Sequence, residues 1–268
     1  MASKASKATK AGQKRGPVRA VVFDLFDTLV DLYSEKLPRI EYHGYLIPAS
    51  ARALHATLPH RIGIDFDTFA SALAEVDREF HSSHYGEGLE LPSEVRFAGL
   101  CERLAVSDPQ LPGIMAQVHM GLLREQVAMP LHHLGLLCSL AERVRLGLCS
   151  NFSHSVTAYT ILEDYGLHGH LDAIVISEEV GIRKPRVEIF ESVLDKLAIG
   201  AGDILHVGDS LTADVAGAAA LGISSVWITR RVKDPEKALA EYDGPAPNFQ
   251  IEDLAELEGI LDVTGVGI

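Results

Sequence analysis

The chain has 268 residues, 47% of them hydrophobic, which is enough for one large α/β domain or for a domain carrying an inserted subdomain. A formal charge of −13 conceals an asymmetry: residues 1–19 hold six lysines and arginines and no acid, which leaves the remainder at −19. So acidic a body excludes recognition of nucleic-acid backbones, which needs clustered cations, and no apolar run reaches the roughly 18 residues of a membrane span.

Residues 1–17, rich in Ala, Ser, Lys and Gly, are expected to form a disordered basic tail. The tail lacks an apolar h-region, so it is not read as a secretory signal. Cys101, Cys138 and Cys149 show no CxxC spacing and leave an odd count, which argues against disulfides and for a reducing cytoplasm. Ala20-Val21-Val22-Phe23 reads as a strand buried on both faces, and Asp24, Asp27 and Thr28 follow where that strand should end. In open α/β sheets ligands bind outside the carboxyl ends of the strands, although an aspartate there can equally cap a turn.

Residues 32–130 show little strand character. Helical spacing appears at Phe69, Leu73, Val76 and Phe80, again at Val95, Leu100 and Leu104, and around Ile114, Val118, Leu122 and Leu123. Regular α/β alternation then begins, the signature of a parallel sheet. Strands are expected at Val144–Cys149, Ala173–Ile176, Ile204–Val207 and Ser225–Ile228, and helices near 131–142, from Ser153 or Ser155 to Asp164, at 188–197, 211–221 and 252–262.

Three of these strands end in polar residues. Ser150-Asn151 follows the second strand, where backbone N–H groups at a helix start favour an anion. Lys184-Pro185 follows the third, with the proline holding the lysine extended. Gly208-Asp209-Ser210 follows the fourth, with Asp214 about one helical turn further on, a spacing at which two carboxylates can serve Mg²⁺. Each alone is explained by a helix cap or a solvated charge.

Together, and in this order, the four segments resemble those of the haloacid dehalogenase (HAD) superfamily over about residues 20–228. The resemblance implies a doubly wound parallel α/β fold of the HAD-like, Rossmannoid kind. Residues 18–31 and 130–268 would form the core and 32–129 an inserted helical cap. It also implies covalent catalysis by Asp24. Mg²⁺ would be held by Asp24, the Phe26 carbonyl and Asp209, with Asp214 outside them orienting Lys184 or a metal-bound water. Ser150, Asn151 and Lys184 would bind the transferring group, and Thr28 would assist.

One departure stands out. Phosphatases of the family place a second aspartate, the general acid/base, two residues after the nucleophile; here that residue is Phe26 and the aspartate is Asp27. Asp27 could substitute if the loop is bulged. The family's 2-haloacid dehalogenases also have an aromatic residue there, but they use no Mg²⁺ and lack the equivalent of Asp209. Phosphonate-cleaving members rely on a cap lysine, for which only Lys36 is on offer. The leading expectation is a Mg²⁺-dependent phosphatase of a small anionic metabolite. C–halogen hydrolysis is the rival, and a catalytically weak binding protein the third reading. Other candidates are bland: His81 with His84 and His132 with His133 lack a third metal ligand, Arg39, Arg52 and Arg61 read as solvated, and Cys149 reads as a small buried hydrophobe.

Overall fold

The computed structural model describes residues 17–33, 39–42, 45–48 and 50–266, so the expected basic tail lies, apart from its last residue, outside the described residues. In chain order the elements are β1 (Ala20–Phe23), β2 (Asp31–Leu32), β3 (Arg39–Tyr42), β4 (Tyr45–Pro48), α1 (Ser50–His55), α2 (Phe66–Ser83), α3 (Ser93–Arg103), α4 (Leu111–Arg124) and β5 (Val127–Ala128). The second half runs α5 (His133–Ala141), β6 (Arg145–Ser150), α6 (Ser155–Asp164), β7 (Ala173–Ile176), α7 (Ser177–Val180), α8 (Val187–Leu197), β8 (Ile204–Gly208), α9 (Ala216–Ala220), β9 (Ser224–Ile228), α10 (Pro235–Ala240), β10 (Phe249–Ile251) and α11 (Leu257–Thr264).

Six parallel strands form the main sheet in the order β10-β9-β8-β1-β6-β7. β1 shows why the sheet is doubly wound. Val21 and Phe23 face one apolar layer with α5, α6 and α11, while Ala20 and Val22 face the other with α8 and α9. A strand buried on both faces must be apolar throughout, which is what its sequence shows. The chain builds outward from β1 through β6 and β7, then returns to β1's other side with β8. That reversal opens a crevice at the carboxyl end of β1, where a doubly wound sheet binds its ligand.

Between β1 and α5 the chain leaves the sheet. β2 and β5 pair antiparallel, Asp31 with Ala128 and Leu32 with Val127, so the inserted segment departs and returns through one short stem. Its helices close around an apolar core of their own that includes Leu54, Phe69, Val76, Phe97, Leu100 and Met115. The periodicity at Phe69, Leu73, Val76 and Phe80 therefore marks a real buried face. Val95 and Ile114 do not belong to such a face: both are exposed, and Phe97 and Met115 take the buried positions.

Other expectations need correction. The inserted segment is not wholly helical, because β3 and β4 pair antiparallel as a hairpin. β10 lies outside the expected strands; its three residues extend the sheet by pairing with β9. The 211–221 helix opens with a π turn, Leu211–Val215. α6 begins at Ser155, but neither serine caps it: the His154 side chain does so by accepting the Thr157 N–H. Among the described residues no helix is long and apolar enough to cross a membrane.

Candidate active site

Asp24 leaves β1 with its N–H still donating to Val207 O at 2.9 Å, so the carboxylate is fixed relative to β8. Lys184 reaches it from the loop between α7 and α8. The Lys184 Nζ donates to Asp24 Oδ1, Asp214 Oδ1 and the Cys149 carbonyl, each at 2.7 Å. An ammonium has three protons, so this one is saturated. Burial works against the charge, but Asp214 and Asp24 outweigh it and hold Lys184 above the ordinary lysine range.

Asp214 is the organising acid. Its Oδ1 also accepts from His206 Nε2 at 2.9 Å, and its Oδ2 accepts the Ser210 N–H at 3.0 Å. Burial pushes its carboxyl up, yet Lys184 and His206 prevail and hold it well below the usual carboxylate range. Gly208 makes room for it: a Cβ there would lie 2.2 Å from the Asp214 carboxyl carbon. Asp209, between them, is pushed up to about 8 by burial and then by Asp24, Asp214 and Asp27. Burial likewise raises Asp24, with Lys184 opposing. Asp24, Asp209 and Asp214 offer carboxylate oxygens within 4.8 Å of one another.

The two expected hydroxyls, which follow β1 and end β6, are buried: Thr28 and Ser150 are both 0% exposed, and neither hydroxyl oxygen has a hydrogen-bond partner among the described residues. An unsatisfied buried hydroxyl costs about 1–3 kcal/mol, a cost that a polar ligand would remove. Asn151 holds the lysine segment: its Oδ1 accepts the Lys184 N–H at 2.7 Å and its Nδ2 donates to the Lys184 carbonyl at 3.0 Å. The second Nδ2 proton lies outside these two bonds.

Asp27 takes a left-handed φ of 55°, tolerable for aspartate, and its Oδ1 accepts the Leu32 N–H at 3.0 Å and Arg231 Nε at 3.2 Å. Both bonds engage Oδ1 and orient the carboxyl, so Oδ2 is the oxygen that an acid/base role would use. Phe26 packs its ring on Phe152 with centroids 4.8 Å apart. The side chains of Lys36, Arg39 and Arg61 lie outside the described residues, and Arg52 stacks on Phe66 with Cζ 4.4 Å from the ring centroid. Cys149 is a buried thiol pushed up to about 12 by burial, as expected of an inert core residue.

The strand-end arrangement agrees with comparison to known proteins. The family model described as haloacid dehalogenase-like hydrolase matches residues 18–222. The chain belongs to the haloacid dehalogenase-like hydrolases. Among curated relatives, this HAD hydrolase is 30% identical over 170 residues to the pyrimidine 5'-nucleotidase YjjG of Escherichia coli, covering 62% of this chain and 69% of that protein. Its fold matches the Bacillus subtilis HAD-hydrolase YfnB, a structure bound to magnesium, with a TM-score of 0.58 and 24% identity over 92% of this chain and all of the other. It also matches a 2-haloacid dehalogenase from Pseudomonas syringae with a TM-score of 0.65 and 21% identity, over 92% of this chain and 100% of that one.

Several residues of this HAD hydrolase site escaped the sequence reading. His206 was hidden inside a strand, although a lone polar residue in the buried run Ile204-Leu205-His206-Val207 is itself a signal of a fixed partner. Arg230 and Arg231 lie two and three residues after β9, where the strand-end rule applied to the other strands would have found them. Arg230 pairs with the buried Asp31 at 2.6 Å and Arg231 with Asp27, so together they tie down the loop after β1. Glu90 carried no signal. Its buried carboxylate joins the inserted segment to the core by accepting from Arg183 Nη1 at 2.6 Å and from Ser177.

Proposed function

We propose that this hydrolase is a Mg²⁺-dependent phosphatase acting on a small phosphorylated metabolite through an aspartyl-phosphate on Asp24. The observation that carries the reading is a charge imbalance: Asp24, Asp209 and Asp214 crowd within 4.8 Å while a single ammonium, Lys184, answers them. An anionic substrate would be repelled from such a cluster unless a cation joined it. The donors fit a hard cation, since all are oxygens, and Asp209, raised to about 8, is the carboxylate that such a cation would relieve. Asp24, Asp209 and the Phe26 carbonyl would hold the ion, with Asp214 outside. When bound it supplies neutralisation of the phosphoryl oxygens.

The chain's own residues account for the rest. Asp24 attacks phosphorus, forming an O–P bond as the bond to the leaving oxygen breaks, and water then cleaves the acyl phosphate to return the carboxylate. Lys184, kept protonated by its partners, stabilises the equatorial oxygens, and the Thr28 and Ser150 hydroxyls gain partners as the phosphoryl group enters. Asn151 and His206 hold Lys184 and Asp214 in place. Phe26 leaves the departing oxygen without a proton donor at the usual position, which favours acidic leaving groups such as phenols or acyl phosphates. The helical segment acts as a cap that excludes water and selects the substrate. The magnesium in the YfnB structure and the nucleotidase relative support the same reading.

C–halogen hydrolysis by the same nucleophile is the second reading, favoured by the aromatic Phe26 but opposed by three carboxylates facing a carboxylate substrate. Turnover of an aryl and an alkyl phosphate with Mg²⁺ and with EDTA, beside halide release from 2-chloropropionate, separates the two. The expected result is metal-dependent turnover, faster on the aryl ester. Metal-independent halide release overturns it. Phe26→Asp should raise alkyl phosphate turnover by about 10²-fold by restoring a proton donor, and an unchanged aryl-to-alkyl ratio would discard the leaving-group argument.

A further inference from the structure

A second cluster of metal-ligating side chains lies away from the carboxylates. His132 and His133, at the start of α5, meet Asp253, which caps the helical turn before α11. The sequence showed two adjacent histidines without a third ligand; the fold supplies Asp253 from 120 residues downstream, and one ligand atom from each of the three lies within 4.8 Å of the others. His132 Nε2 is 2.7 Å from Asp253 Oδ1.

His133 makes the cluster more than a surface ion pair. Its side chain is 0% exposed, its Nδ1 is 2.8 Å from the Leu29 carbonyl, and its Nε2 is buried without a partner among the described residues. A carbonyl only accepts, so the bond to Leu29 fixes the proton on Nδ1 and leaves Nε2 as a bare lone pair. A ring whose far nitrogen donates to a carbonyl is the arrangement that orients metal-bound histidines. Arg230 approaches the same carboxylate, with Nε 4.0 Å from Asp253 Oδ2, but Asp31 at 2.6 Å answers its charge.

We propose that His133 Nε2, His132 and Asp253 form a binding site for a borderline divalent ion of the Zn²⁺ class, separate from the all-carboxylate site. Two imidazoles and one carboxylate suit Zn²⁺, Co²⁺ or Ni²⁺ and leave a fourth position for water, whereas three carboxylates suit Mg²⁺. The two sites therefore sort metals by donor chemistry. They are also linked through the backbone, because Leu29 directly follows Thr28. A cation on Nε2 makes the Nδ1–H a stronger donor to Leu29, so the second ion would stiffen the loop that carries the nucleophile.

The test uses the full chain in excess Mg²⁺, which occupies the carboxylates. Titrating Co²⁺ should give the visible absorbance of a tetrahedral N/O site at one equivalent, and Zn²⁺ should displace it and raise the Tm. His132→Ala, at an exposed position that leaves the core intact, should abolish both signals. Asp253→Asn, which keeps the helix cap, should weaken them, and Asp209→Asn should preserve them. No cobalt band or Zn²⁺-dependent Tm shift in the unaltered chain, or signals that survive in His132→Ala, would overturn the site. Signals lost in Asp209→Asn would assign the ion to the carboxylates instead. None of these readouts depends on turnover, so they stand whether or not the phosphatase reading holds.

Discussion

Around Lys184, an ammonium and the carboxylates of Asp24 and Asp214 lie below the surface in hydrogen-bond contact. Among the helices of the insertion the ion pairs lie nearer the surface: Arg103 bridges Glu75 and Glu79 on exposed helix faces, and Arg96 grips the half-buried Asp77, while the helices pack on an apolar core. Surface pairs contribute about 0–1 kcal/mol each, and removing one partner of a buried pair costs about 3–5 kcal/mol. The core thus concentrates its electrostatics where the chemistry is, and the insertion is held by packing that tolerates change on its surface. A unit built in the second way can vary its outer face to suit a substrate without endangering its fold.

The largest test of that contrast is Lys184→Met. It strands two buried carboxylates, and the expected loss is about 3–5 kcal/mol by urea unfolding together with turnover reduced by at least about 10³-fold. A stability change below about 1 kcal/mol would mean that the buried network contributes no more than a surface pair. Glu90→Gln comes next, because Glu90 is the buried link between the two regions. With Arg183 a quarter exposed, a loss of about 2 kcal/mol is expected, whereas Arg103→Ala on the insertion should cost under about 1 kcal/mol. Equal losses would erase the difference between the regions.

The smallest effect concerns pH. His119 in α4 has a covered Nδ1, and burial, then Arg96, lower it to about 4 from 6.5. The unfolded chain therefore takes up a proton below about 6.5 while the folded insertion does not until about 4. Its contribution is complete above 6.5 and disappears as the pH falls to 4, a loss of about 1 kcal/mol for this half-buried ring. Thermal melts of His119→Phe should show a shallower acid decline over that window than the unaltered chain, and parallel declines would remove His119 as the cause.

How much of this was legible follows from where each signal resides. β1, β6, β7 and β8 announced themselves as apolar runs followed by polar residues, and the resemblance of those four segments, in order, to the HAD superfamily singled out Asp24, Ser150, Lys184 and Asp209. β10 is only three residues long and follows Gly244-Pro245-Ala246-Pro247, so nothing local distinguished it from loop. The β3–β4 hairpin was overlooked because its β-prone residues stand among helical segments. Asn151 and Asp27 also have partners that spacing did not announce, since donors reach them from residues 184 and 231. Spacing reveals which strand end a residue occupies; it does not reveal which neighbour reaches it first.

Arg230 and Arg231 carry a consequence for where the protein can be cut. The family match ends at residue 222, by which point every proposed catalytic group has been supplied. Yet the guanidiniums that grip Asp27 and Asp31 come after it, and so does β9, whose Trp227 Nε1 donates to the Asp209 carbonyl at 2.8 Å. A fragment trimmed to the shared segment would keep the whole catalytic inventory and lose its bracing. Proteolytic clipping in the stretch before β9 should therefore silence the enzyme while sparing every residue that touches the substrate.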